Sequence, residues 1–69
     1  MTLRERIVDY LKINPGVTFT NKELALILNR PEPSVRRATY RALMLSELQD
    51  GGHVSYNPNV VTYRAPNTL

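Results

Sequence analysis

The sequence predicts an α+β chain, mostly α, with three helices followed by a β-hairpin. Two capping-box patterns and one proline-led segment each open a run with helical apolar spacing. Two β-prone runs near the C-terminal end flank an Asn-Pro-Asn turn. The chain has 69 residues, 42% of them hydrophobic and none a cysteine. That fits a single domain over residues 1–69, held by one apolar core without disulfides or Cys-bound zinc, and with a small stability margin.

Thr2-Leu3-Arg4-Glu5 is the first capping box, with Thr2 as N-cap. Leu3, Ile7, Val8, Tyr10 and Leu11 then share one helical arc, and Glu5, Asp9 and Lys12 lie opposite. Asn14-Pro15-Gly16 ends this helix, expected over residues 3–14, because the pre-proline position disfavours helical torsions. Val17-Thr18-Phe19 reads as a short edge strand. Thr20-Asn21-Lys22-Glu23 is the second capping box, with Phe19 placed to staple onto Leu24. The second helix is expected over 21–29, and Asn29 suits the left-handed conformation of a helix stop. After the turn Arg30-Pro31-Glu32-Pro33, Pro33 suits the first position of a third helix over 33–48, stopped by Asp50-Gly51-Gly52. A hairpin is expected over 53–64, turning at Asn57-Pro58-Asn59, with a frayed tail over 65–69.

Several function classes fall away on composition. The longest apolar run, Leu24 to Leu28, is far too short to span a membrane. Met1 to Asn14 carries Arg4, Glu5, Arg6 and Asp9, unlike a secretory leader, so a cytoplasmic protein is expected. His53 is the only histidine, and the six carboxylates are scattered. Neither an enzyme, nor a metal site, nor a cofactor is expected on these grounds, and His53 receives no role.

The order helix, short strand, helix, helix, hairpin resembles the winged helix-turn-helix superfamily from about Leu3 to Arg64. Helix-turn-helix units place a small residue where their helices touch, a glycine four positions later and a β-branched apolar residue six positions beyond. Ala25, Asn29 and Val35 occupy those places here. Ala25 allows close helix approach, Val35 plugs the gap, and Asn29 departs from the glycine while still tolerating positive φ. The resemblance implies duplex DNA binding by a small, nucleoid-associated transcriptional regulator of prokaryotic, phage or archaeal-virus type, with the third helix in the major groove. The alternative is a winged-helix module for protein–protein contact in a larger assembly. A narrower similarity, to the Zα domains that bind left-handed nucleic acid, rests on Tyr40, Pro58 and Tyr63. Arg36 and Glu32 stand where that pattern has an asparagine and a basic residue, and Z-form recognition is not expected.

Charge placement agrees with the DNA reading. The net charge is +3, and Arg30, Arg36, Arg37 and Arg41 against Glu32 alone put the same +3 into residues 30–41. At about 100° per residue, Arg36, Tyr40, Arg37, Arg41 and Ser34 span an arc of about 160° on the third helix. Val35, Ala38, Ala42 and Leu45 lie opposite, as a core face. Arginines fork onto guanine or phosphate, and Tyr40 and Ser34 offer hydroxyls, so these five are the candidate base or phosphate contacts. Thr20, Asn21, Lys22 and Arg30 are candidate DNA-backbone contacts around the start of the second helix and the turn. Asn57, Asn59 and Arg64 are the polar residues of a weakly charged wing. Met44 and Leu48 fall in line with the arginines, making the last turns apolar nearly all round. The hairpin is expected to bury them, the alternative being an exposed Met44 in a dimer interface. One such module buries little DNA, so a homodimer or a partner is expected, built from the first helix and the tail.

Overall fold

Two threonines decide where the first two helices begin. The computed structural model describes residues 1–66, Pro58 by its backbone alone. Helix α1 is Leu3–Ile13. The Glu5 backbone N–H donates to Thr2 Oγ1 at 3.1 Å, and the Thr2 N–H donates to Glu5 Oε1 at 2.9 Å. The same reciprocal box opens helix α2, Asn21–Leu28, where Glu23 N donates to Thr20 Oγ1 at 3.1 Å and Thr20 N to Glu23 Oε1 at 2.8 Å. Two donors that the helix cannot satisfy internally are met in each case.

Between them, strand β1 is Phe19–Thr20. Helix α3 is Glu32–Met44, and strands β2 (Gln49–Val54) and β3 (Asn57–Arg64) complete the chain. The sheet is antiparallel in the order β1-β3-β2, with Phe19 opposite Tyr63 and His53 opposite Val61. Three helices, a short strand after the first and a C-terminal hairpin form a winged-helix-like arrangement.

One core joins these elements. Ile7, Val8 and Leu11 of α1, Leu24 of α2, Val35 and Ala42 of α3, Leu48 and Tyr63 are buried together. Leu3, Tyr10, Phe19, Ala25, Leu28 and Ala38 pack around them. The Tyr10 and Phe19 rings meet edge to face at 5.3 Å, so β1 is held against α1. Asn29 takes φ 54° and ψ 51°, and Arg30 N donates to Ala25 O at 3.0 Å across the stop. The left-handed stop expected of Asn29 therefore sets the turn between α2 and α3.

The third helix departs from the sequence reading at both ends. It starts at Glu32, one residue before Pro33, with Pro31 as N-cap and no side-chain cap. It stops at Met44 instead of about residue 48. Ser46 takes φ 59°, Glu47 N donates to Ala42 O at 2.9 Å, and Ser46 N to Leu43 O at 3.1 Å. This is a Schellman stop with serine in the place glycine usually holds. Helical spacing beyond Met44 then no longer applies. Leu48 turns into the core, whereas Met44 is 65% exposed and Leu45 is exposed as well. The expected burial of Met44 and the expected core position of Leu45 are thus both corrected.

The hairpin is also longer than expected. Asp50-Gly51-Gly52 does not stop a helix but lies inside β2, which begins at Gln49 rather than residue 53. A Cβ on Gly51 would come within 2.7 Å of both Thr18 Cγ2 and Thr62 Oγ1, so the close approach of these chains needs a glycine. The turn falls on residues 55–56, not on Asn57-Pro58-Asn59. His53 faces Val61 while Val54 faces Asn57, so residues 58–60 bulge out of register. Strand β1 pairs only with Tyr63 and Thr62, so this end of β3 has β2 on one side alone. A proline that lacks an N–H is tolerated there. Of the tail, Ala65 packs half-buried against the core instead of fraying, and residues 67–69 lie outside the described residues.

Candidate nucleic-acid interface

Burial divides α3 lengthwise. Val35, Thr39 and Ala42 are buried, and Arg36, Arg37, Tyr40 and Arg41 are exposed on the far side. The arginines stay in water because the opposite face, with Val35, Thr39 and Ala42 wholly buried, is the one that packs on the core. Their exposure leaves the guanidinium groups open to solvent. Tyr40 is 63% exposed, so it stands out from the core with the arginines. Arg37 reaches back to Ser34 Oγ at 3.5 Å, a long contact that ties the half-buried Ser34 to the basic face.

A groove of about 510 Å³ runs beside this face, between the start of α2, the first turns of α3 and the wing. It brings together Thr20, Asn21, Lys22, Arg36, Asn57 and Asn59, six of the residues singled out in the sequence. It does not include Ser34, Arg37, Tyr40 or Arg41, which lie along the outer face of α3. Arg30 is exposed in the turn between α2 and α3. Arg64 is the last residue of β3, opposite Gln49, at the hairpin base, away from the wing tip. Its Nε is buried and makes no hydrogen bond to the described residues.

Three of the groove residues have internal duties. Thr20 is buried and its hydroxyl caps α2. Asn21 Oδ1 accepts from the buried Thr39 hydroxyl at 2.7 Å. The Asn57 side chain accepts from Asn59 N at 3.1 Å, an Asx turn that shapes the wing. Lys22 and Arg36 therefore carry the positive charge of the groove.

Three residues of this region are not among the site candidates drawn from the sequence. Tyr56, at the wing turn, is 85% exposed and lines the groove. Glu32 lines it too, with its Oε2 3.4 Å from the Arg36 Nη2. Thr39 anchors α3 from within. Its i, i+4, i+7 relation to Val35 and Ala42 was the available signal, masked by its hydroxyl. Among the described residues no three His, Cys, Asp or Glu side chains gather as a metal site, and no helix is long and apolar enough to cross a membrane. Compared with models of known families, with curated proteins and with solved structures, the chain matches none.

Proposed function

We propose that this chain is a small duplex DNA-binding module of regulatory type, which inserts α3 into the major groove and sets its wing against the backbone. The observation that carries the reading is the exposed stripe Arg36, Arg37, Tyr40 and Arg41, opposite a fully buried face of the same helix. A helix of 13 residues, anchored on one side and basic on the other, fits the width of a major groove. Ser34, Arg36 and Arg37 stand in its first half, the part that reaches base edges, while Tyr40 and Arg41 stand where phosphates flank the groove. Lys22 and the free N–H groups at the start of α2 supply a backbone contact, joined by Arg30 from the turn. The module acts inside the cell, as two copies or with a partner, and as a binder rather than an enzyme.

The test is a filter-binding titration against random-sequence duplex at several salt concentrations. With about three phosphates neutralised, the log–log slope is expected near −3. A slope near zero, or no binding at low salt, overturns the reading.

A second reading, a docking module for another protein, is favoured by one observation. Leu26 on α2 is 76% exposed and Met44 at the end of α3 is 65% exposed. In that case the arginines would meet an acidic protein surface, and the same titration would show no duplex binding.

A further inference from the structure

Glu32 is the only acid between residues 30 and 41, and it sits at the first position of α3 inside the groove. A carboxylate there is at odds with simple phosphate attraction. Its Oε2 lies 3.4 Å from the Arg36 Nη2, one helical turn on. Arg37 and Arg41 have no such carboxylate among the described residues. The basic face is thereby split into a free pair, Arg37 and Arg41, and a restrained arginine, Arg36. The Glu32–Arg36 pair is exposed enough to be weak, so a better partner for either member displaces it.

We propose that Glu32 is a specificity-determining residue of the DNA site, a role that rests on the DNA-binding reading above. On arbitrary duplex its charge repels phosphate beside Arg36, so that the attraction of that arginine is offset. On a matched site Glu32 accepts a hydrogen bond from the N4 amino group of a cytosine, and Arg36 is released to donate to a guanine. The chemistry follows from what the major groove displays. Cytosine N4 is a donor suited to a carboxylate, guanine O6 and N7 are acceptors suited to arginine, and residues at the start of a recognition helix reach base edges. A carboxylate pressed against any other base edge loses its water and its arginine without replacement, which makes mismatched sites unfavourable.

A purely structural role for Glu32 is the competing explanation. Pro31 gives α3 no side-chain cap, and an acid in the first turn favours the helix dipole. That role affects stability and leaves binding untouched. The discriminating variant is Glu32→Gln, which keeps size and hydrogen-bonding capacity and removes the charge. Wild type and E32Q are titrated against random-sequence duplex over a salt series, taken through a selection from a random duplex library, and melted thermally. E32Q is expected to bind random duplex roughly three- to tenfold tighter, with a log–log slope steeper by about 0.9, as one more phosphate is engaged. Its selected pool is expected to lose a cytosine preference that the wild-type pool holds at one position. Equal random-duplex affinity, equal slope and the same selected sequences overturn the proposal, whatever the melting temperatures. Wild type without salt-dependent binding overturns the DNA reading and this inference with it, whereas wild-type binding that E32Q leaves unchanged overturns this inference alone.

Discussion

Thr39 Oγ1 donates to Asn21 Oδ1 at 2.7 Å, joining the middle of α3 to the first turn of α2. Thr39 is wholly buried, and its hydroxyl also lies 3.1 Å from the Arg36 carbonyl oxygen. The bond fixes how α3 is rotated relative to α2, and so which side chains face outward. Thr39→Val keeps the shape and removes the donor, leaving the Asn21 oxygen unpaired in a part-buried setting. It is expected to cost about 1–2 kcal/mol, and Asn21→Ala a similar amount. In the double variant the loss is expected to fall short of the sum by about 1 kcal/mol, as measured by urea unfolding. Additive losses would show that the two residues act separately.

The exposed arginines make the binding reading quantitative. Arg37→Ala with Arg41→Ala is expected to abolish most of the duplex affinity and to flatten its salt dependence by about 0.9 in log–log slope, for the one phosphate that Arg41 engages. Lys12→Ala, on the exposed side of α1, is the matched control and is expected to change nothing. Arg4 is a poorer control, because its Nε lies 3.0 Å from Glu47 Oε1 and removing it also releases the end of α3. Equal losses from Lys12 and the arginine pair would place the interface elsewhere.

Helical spacing puts Leu48 and Met44 on one face for the hairpin to bury together, but only Leu48 is buried and Met44 is exposed. Leu48→Ala is expected to cost about 2–5 kcal/mol through a cavity beneath the hairpin, enough to unfold a domain of this size. Met44→Ala is expected within about 0.5 kcal/mol of wild type. Chemical denaturation of both variants measures the difference, and similar losses would mean that α3 continues past Met44.

Acidification is expected to weaken the start of α1. The hydrogen bond from the Thr2 backbone to the Glu5 carboxylate lowers the Glu5 pKa below its ordinary value, aided by the Thr2 side chain and the nearby positive N-terminus. A carboxylate lowered on folding stabilises above its unfolded pKa, and that contribution is lost as pH falls through the lowered folded value. The Tm gap between wild type and Glu5→Gln is therefore expected to be present at neutral pH and to close in acid. A gap that persists unchanged in acid would exclude the charged capping bond as its source.

Much of this architecture is legible because its signals are local. Thr2 with Glu5 and Thr20 with Glu23 satisfy donors within one helical turn, and Asn29 enters the left-handed region on its own preference. The basic stripe on α3 is equally local, since it follows from residue order and helical pitch. The end of α3 is not, because Leu45-Ser46-Glu47-Leu48 continues the apolar spacing and contains no glycine. Nor is the wing turn, where Asn-Pro-Asn outweighs Ser55-Tyr56 as a turn signal although residues 58–60 lie in an irregular stretch of strand.

What the sequence by itself determined are the starts of α1 and α2, the turn between α2 and α3, and the segregation of arginines onto one face, all set by interactions within a few residues. Tertiary structure alone decided that Ser46 accepts a positive φ. The strain at that residue is offset where Leu48 enters the core and Glu47 meets Arg4, contacts between parts of the chain that spacing cannot relate. It decided too that Asn21 belongs to the Thr39 hydrogen bond and that Glu32, Arg36, Lys22 and the wing share one groove. Those relations depend on how α3 is rotated against α2 and how far the hairpin reaches, and both are outcomes of packing.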